Sequence, residues 1–233
     1  MILSMNRFVF LNVTSLCFTS LIKVPLINCS NKTLLSIRGL LLSFLTFSVN
    51  ANQPPASYTQ CVVCHGERGQ GNNQLKAPVL AGQSASYLTR QLINFSSGVR
   101  GSNKNDIYGQ QMLAITKQLD LHQDASDLSA YLATLSPEKI KQETVGDLKN
   151  GSRYYQAKCG ACHGGKAQGN ASFNAPKLSG QNSDYLQSQM KNFTTGIRGT
   201  HENDKFGRQM AMMSKTTSGK ELDDIIHYIA QQE

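Results

Sequence analysis

The stretch Cys61-Val62-Val63-Cys64-His65 returns 98 residues later (159 − 61) as Cys159-Gly160-Ala161-Cys162-His163. A Cys-x-x-Cys-His pentapeptide is typical of c-type haem attachment. Two thiols three positions apart can form thioethers with the vinyl groups on one edge of a haem, and the adjacent histidine then reaches the iron. We therefore predict two covalently bound haem c groups. The predicted attachment residues are Cys61, Cys64, Cys159 and Cys162, and the predicted iron ligands are His65 and His163.

Two other kinds of site use paired cysteines. A zinc site needs four ligands, and one site built from both cysteine pairs would leave the repeated histidines without a role. A disulfide across so short a loop is more often catalytic than structural, and it needs no histidine. Two matched pentapeptides in one chain therefore favour haem over zinc or disulfides.

The repeat extends well beyond the cysteines. The same shift of 98 residues aligns three further pairs of segments: Ala77–Leu80 with Ala175–Leu178, Gly98–Gly101 with Gly196–Gly199, and Gly109–Met112 with Gly207–Met210. Two copies with a full set of special residues predict two domains of one fold. We place them at residues 52–140 and 141–233, because the stretch 136–146 is polar, opens near Pro137 and lacks apolar periodicity.

Each copy has the pattern of an all-α domain. Leu88, Leu92 and Phe95 recur at helical spacing, as do their counterparts in the second copy. Gly98 and Gly196 follow as helix stops. Loops rich in Gly, Asn and Pro separate the helices, and no segment has convincing strand alternation. The sequence predicts a few helices and loops wrapped around each haem.

The sixth iron ligand follows from comparing the copies. Met112 is the only methionine of the first copy after the leader, and the shift maps it onto Met210. Met190 maps onto Leu92, a core position on a helix, so it is expected to pack. We predict that Met112 and Met210 bind iron, with Met212 as an alternative ligand in the second copy.

Other notable side chains have blander interpretations. His122, His201 and His227 have no repeated histidine partner, so we expect them to be exposed or loosely packed. Tyr87 and Tyr185 do recur, but they are expected in the core rather than in an electron relay.

The N-terminus has the pattern of an export signal. Lys32 and Arg38 precede the apolar run 39–49, and Val49–Ala51 offers small residues for cleavage after Ala51. The preceding residues 1–30 indicate either a translation start set too early or a membrane anchor. Residues 1–51 hold four of the 23 basic side chains and no acidic one, which leaves 19 basic against 15 acidic residues. With no dense basic run, nucleic-acid binding is not expected.

These residues together resemble a class I cytochrome c duplicated in tandem, and most of all the di-haem cytochrome c4 family. The resemblance covers about residues 52–233 and rests on both pentapeptides, on Ala-Pro-x-Leu-x-Gly-Gln after each, and on Gly-x-Gln-Met at each sixth ligand. It implies that Pro78 and Pro176 orient the proximal histidines through their carbonyl groups. Arg100 and Arg198 recur in Gly-x-Arg-Gly, and each either pairs with a haem propionate or is a solvated arginine ending a loop.

The resemblance implies a periplasmic electron carrier between a quinol-oxidising bc-type complex and a terminal oxidase, with peripheral membrane association left open. No small-molecule substrate is expected, because two filled axial positions leave no site for one. One alternative is the haem subunit of a periplasmic dehydrogenase, for example one that oxidises sulfide or thiosulfate. Another is a di-haem peroxidase, which the equal treatment of Met112 and Met210 disfavours.

Overall fold

The computed structural model describes residues 53–138, 142–217 and 219–232, which belong to one compact unit. The predicted leader at 1–51, its cleavage point and the predicted domain junction at 140 and 141 lie outside the described residues.

The first half of the described chain is a set of short helices. A 3₁₀ turn at Ala56–Tyr58 leads directly into helix α1, Thr59–His65, which therefore contains the whole first pentapeptide. Helices α2 (Ala85–Ser96), α3 (Ile107–Thr116) and α4 (Asp124–Thr134) follow. Helix α2 packs against both α3 and α4 and so forms the centre of this half.

The second half repeats this order, but its elements on either side of the cysteines differ. Helix α5 (Leu148–Tyr155) runs through a π-helical turn at Gln156–Gly160 into α6 (Ala161–His163). Helices α7 (Ser183–Thr194), α8 (Lys205–Ser214) and α9 (Gly219–Ala230) follow, with a 3₁₀ turn at Ala171–Phe173 before them. Helix α7 packs against α8 and α9, and α9 also packs along α5. Both ends of α7 and of α8 lie 98 residues after those of α2 and α3, so the sequence repeat is also a structural repeat.

Extended structure among the described residues is limited to two isolated antiparallel bridges, Asn72 with Ala77 and Asn170 with Ala175. Each bridge closes the loop that follows a pentapeptide. The predicted all-α class is confirmed for the described part of the chain.

Polar caps set where the central helices begin. The side chain of Asp106 accepts a hydrogen bond from Gly109 N at 3.1 Å, and Asp204 accepts one from Gly207 N at 2.8 Å. Such a cap satisfies an amide that has no partner within the helix. Helix α2 ends at Ser96, two residues before Gly98, whose φ of 76° suits a helix stop.

Each half has its own small apolar core. In the first half the buried members are Tyr58, Leu88, Leu128, Tyr131 and Leu132. In the second they are Tyr155, Ala167, Leu186, Ile225, Ile226 and Ile229. Cores of this size are marginal for domains of fewer than a hundred residues, so a bound group that adds apolar contact would stabilise both halves.

The π-helical turn explains why the two copies lose their register before the cysteines. Tyr58 donates to Gly66 O and Tyr155 donates to Gly164 O, each at 2.7 Å. The glycines are 98 residues apart, but the tyrosines are only 97 apart. A π turn accommodates one extra residue in a helix, so it restores the same tyrosine–glycine contact in the second half.

None of the helices formed by the described residues combines the length and the apolar character needed to cross a membrane.

Candidate haem-attachment sites

The two cysteines of each pentapeptide lie on a helix. Cys61 is half-buried and Cys64 is exposed on α1, and Cys159 and Cys162 repeat this difference in the second half. Helical residues three apart share a face, so each pair presents two thiols on one side. Burial is the main reason that the pKa values of the Cys61 and Cys159 thiols rise to about 11, so both are protonated at neutral pH.

The four described cysteines form no disulfide with one another. In the described ranges, no group of three or more His, Cys, Asp and Glu side chains lies close enough together to hold a metal ion. The zinc alternative therefore has no ligand set in this part of the chain.

The two pentapeptide histidines are buried and held in the same way. His65 is 4% exposed, and its Nδ1 lies 3.0 Å from Pro78 O. His163 is 5% exposed, and its Nδ1 lies 2.9 Å from Pro176 O. A carbonyl oxygen can only accept, so Nδ1 carries the proton and Nε2 keeps its lone pair. Burial lowers the pKa of both imidazoles, although the carbonyl opposes this. Each ring is a neutral ligand with one free nitrogen.

A tight loop brings the proline carbonyl to the histidine. Gly71 has a φ of 79°, and its amide donates to His65 O at 2.9 Å. A Cβ at Gly71 would lie 2.9 Å from Ala77 O and from Pro78 C, which is too close for any side chain. Gly169 occupies the same position in the second half, with a φ of 85° and Lys177 N at 2.8 Å from its virtual Cβ. Only glycine allows the loop to approach its own backbone this closely.

The methionines of α3 and α8 separate into inward and outward groups. Met112 and Met210 are half-buried at equivalent positions. Met212 is 64% exposed and Met213 is 41% exposed. Because Met212 points outward, Met210 is favoured over Met212 as the ligand. Met190 is half-buried on α7.

The histidines without a repeated partner are exposed or half-buried. His122 is exposed and His201 half-buried. His227 is half-buried, and its Nδ1 contacts Thr144 Oγ1 at 2.9 Å.

The two halves meet through reciprocal glutamines. Gln83 Nε2 donates to Lys177 O and Gln83 Oε1 accepts from Lys177 N, both at 2.9 Å. Gln181 makes the same two bonds with Val79, at 2.9 and 2.8 Å. Since Gln83 and Gln181, and also Val79 and Lys177, are 98 residues apart, the contact has approximate twofold symmetry.

Arg100 and Arg198 lie at the same contact. Each is 8% exposed, so the solvated-arginine alternative is wrong. Gln91 Oε1 accepts from Arg100 Nη1 at 2.7 Å and from Arg198 Nη2 at 3.0 Å. Gln189 Oε1 accepts from Arg198 Nη1 at 2.7 Å and from Arg100 Nη2 at 3.0 Å. Two guanidinium groups thus share two neutral amides across the contact between the halves.

Each arginine of this pair has one hydrogen-bond donor left unsatisfied, because the Nε atoms of Arg100 and Arg198 are buried without a hydrogen-bond partner among the described residues. Burial raises the pKa of the Tyr87 phenol, but Arg198 and Arg100 outweigh this and hold it below its usual value. Buried cations need anions or several hydrogen bonds. The site therefore fits the propionate groups that a haem would bring.

Sequence reasoning did not assign several of these residues. Tyr58 and Tyr155 were hidden by the change of register before the cysteines. Gln83 and Gln91 recur in both copies, but a repeat reveals equivalent positions, not that one copy binds the other. The one available signal was that the same glutamine occurs at equivalent positions of both copies.

Comparison with known proteins supports the haem assignment in both halves of the chain. The Cytochrome c family model matches residues 55–136 and 148–233. Cytochrome c4 of Azotobacter vinelandii is 30% identical over 185 residues, which is 72% of this chain and 82% of the relative. A thiosulfate dehydrogenase electron acceptor of Stutzerimonas stutzeri (strain A1501) is 27% identical over 83% of this chain and 93% of its own. The structure of cytochrome c4 from Acidithiobacillus ferrooxidans superposes with a TM-score of 0.61 at 25% identity, covering 74% of this chain and 98% of that one.

Proposed function

The chain belongs to the cytochrome c family, and within it to the di-haem cytochromes c4, and from this premise we propose that it carries electrons from a quinol-oxidising bc-type complex to a terminal oxidase. It is an electron carrier and not an enzyme, and it has two covalently bound haem c groups. Each haem, when bound, accepts and returns one electron at its iron.

In this proposal each pentapeptide performs two tasks. Cys61 and Cys64, and likewise Cys159 and Cys162, form the thioethers that fix the group to the chain. His65 and His163 bind iron through Nε2. The carbonyl groups of Pro78 and Pro176 hold the opposite ring nitrogens, which fixes the tautomer and increases the basicity of the ligand. The duplicated histidine–proline hydrogen bond is the observation that carries the proposal.

Met112 and Met210 are proposed as the second axial ligands. A thioether sulfur is a soft ligand that raises the reduction potential relative to a second histidine. The half-burial of both residues at equivalent positions supports this. With His65 and Met112 holding one iron and His163 and Met210 the other, the chain would offer no open iron site to oxygen, peroxide or another substrate.

Arg100 and Arg198 are proposed to receive haem propionates at the contact between the two halves. Their unpartnered Nε donors and buried positive charge support this role. A propionate would then complete the hydrogen bonds of each guanidinium and bring a full negative charge to it.

We propose a periplasmic location after removal of residues 1–51, with domains at 52–140 and 141–233 as the sequence predicts. Covalent attachment of haem c follows export, which agrees with an N-terminal signal. N-terminal sequencing of the exported holoprotein is expected to start at Asn52. Recovery of residues 1–30 in membrane-bound mature protein would replace this view with an anchored form.

A second candidate function has support from a relative. One similar protein is described as an electron acceptor of thiosulfate dehydrogenase, so a dehydrogenase rather than a bc-type complex is the alternative donor. Stopped-flow mixing of the oxidised holoprotein with each reduced donor separates the two. Faster reduction by the bc-type complex with quinol supports the proposal, whereas faster reduction by thiosulfate dehydrogenase with thiosulfate replaces its donor.

A further inference from the structure

Helices α3 and α8 occupy equivalent positions but present different surfaces. On α8 the exposed side chains include Lys205, Arg208 and Lys215, the last just beyond the helix end. The equivalent residues of the first half are Ile107, Gln110 and Lys117, all exposed as well. These three equivalent positions therefore hold three cations in the second half and one in the first.

The cationic side of α8 points away from the domain interior. Gly207 and Ser214 are buried and Met210 is half-buried, so they mark the inner side. Met212 follows Met210 by two residues, or roughly 200° around a helix, and is 64% exposed. Met212 therefore projects among the cations, and we call Lys205, Arg208, Met212 and Lys215 the α8 face.

The α8 face lies next to the haem-attachment segment. Lys158, directly before Cys159, donates through Nζ to Thr216 O at 2.7 Å. Thr216 lies two residues beyond the end of α8. A protein bound to the α8 face would thus be close to both the attachment cysteines and the helix that carries Met210.

The α8 face keeps most of its positive charge free of contacts with the described residues, although Lys205 Nζ lies 5.8 Å from the centre of the neighbouring Phe206 ring. Among the described residues no carboxylate forms an ion pair with Lys205, Arg208 or Lys215. Asp204 is 6% exposed and its carboxylate caps the helix. Glu202 is exposed on the preceding loop but makes no ion pair with the helix. The cations are available to a partner.

We propose that the α8 face is the docking surface for an acidic redox protein, and that the equivalent α3 surface is not. The inference rests on the proposed carrier role, because it names where that role's partner binds. Met and Arg are both enriched in protein interfaces, and complementary charge speeds encounter and fixes orientation. A patch on one ten-residue helix matches the small contact area of transient electron-transfer complexes. A membrane surface would instead be met by a longer amphipathic helix with a large apolar side.

The test uses ¹⁵N-labelled reduced holoprotein and poly-L-glutamate as the acidic probe. Chemical-shift changes are expected on residues 205–216 and not on 107–118. The double variant Lys205→Glu/Arg208→Glu is expected to bind the probe about tenfold more weakly or worse. The matched variant Ile107→Glu/Gln110→Glu, at the same positions of the first half, is expected to bind as tightly as the wild type. Binding should also weaken as salt rises.

Shift changes spread over both halves, or equal loss of binding in the two double variants, would overturn the proposal. Binding through α8 to phosphatidylglycerol vesicles but not to poly-L-glutamate would overturn it in favour of a lipid surface. The measurement needs no electron transfer, so an intact α8 contact in a protein that fails to exchange electrons would refute the carrier role alone. Amide shifts that stay unchanged away from the substituted helix show that both variants are folded.

Discussion

The side-chain amide of Gln83 uses both of its polar atoms on one residue of the other half, donating to Lys177 O and accepting from Lys177 N at 2.9 Å each. Gln83 is 7% exposed. The contact imitates a pair of backbone hydrogen bonds between strands, but it joins two helical domains. Together with the equivalent contact between Gln181 and Val79, it ties the two domains together through four hydrogen bonds.

Gln83→Ala should weaken this contact. It leaves the part-buried backbone amide and carbonyl of Lys177 without partners, and a fully buried group of this kind costs about 1–3 kcal/mol. We expect the free energy of unfolding in urea to fall by about 2 kcal/mol. Gln74→Ala is the control, because Gln74 is exposed and its side chain makes no hydrogen bond among the described residues. If the two variants are equally stable, the hydrogen bonds between Gln83 and Lys177 do not hold the domains together.

Much of the local structure could be predicted from the sequence, because the 98-residue repeat is exact over the central helices. The ends of α2 and α3 map onto those of α7 and α8, and the periodicity of Leu88, Leu92 and Phe95 identifies their buried side. The positions of His65 and Pro78 also followed from motif chemistry and from the resemblance to cytochromes c4.

The contact between the copies could not be predicted in the same way. A repeat shows which positions are equivalent, whereas the pairing of Gln83 with Lys177 depends on how two folded domains meet. The burial of Arg100 was equally hidden, because an arginine in a glycine-containing loop is usually solvated. The 98-residue alignment of the two copies does not extend to the residues before the cysteines, because the π turn at Gln156–Gly160 contains one extra residue.

Replacing Met112 by His tests the proposed ligation. The haem should stay attached, and the reduction potential of the first domain should fall by a fraction of the roughly 0.8 V that axial ligands span, because imidazole lacks the thioether's preference for Fe(II). Met210→His should act in the same way on the second domain. Potentiometry with visible spectra measures both.

Met190→Leu is the matched control for these two variants, since Met190 packs on α7 and aligns with Leu92. It should leave both potentials nearly unchanged. The oxidised wild type should also show the weak far-red band of sulfur bound to iron. Persistence of that band at full intensity in Met112→His would exclude Met112 as a ligand.

The phenol of Tyr58 should make the free energy of unfolding depend on pH in the alkaline range. Burial raises the pKa of its phenol to about 12, with Cys61 and Tyr131 adding to the effect. Burial is the cause that persists once Cys61 is a thioether. The folded chain therefore favours the neutral phenol, so this contribution is fully present below about pH 10, the usual pKa of tyrosine, and is lost as pH rises towards 12.

Tyr58→Phe should therefore show a smaller loss of unfolding free energy between pH 9 and pH 11 than the wild type. At pH 7 the same variant should be less stable by about 0.5–1.5 kcal/mol, because the hydrogen bond to Gly66 O is gone. Tyr108→Phe, at an exposed side chain, is the control and should match the wild type at both pH values. An unchanged alkaline profile in Tyr58→Phe would show that this phenol does not titrate with unfolding.

The most direct test of the central claim is a spectroelectrochemical titration of the purified exported protein. A di-haem carrier with filled axial positions should take up two electrons per chain reversibly. Its reduced spectrum should stay unchanged under carbon monoxide. Uptake of one electron or none per chain, or rapid stoichiometric carbon monoxide binding at one haem, would contradict the account and favour an enzyme with an open iron site.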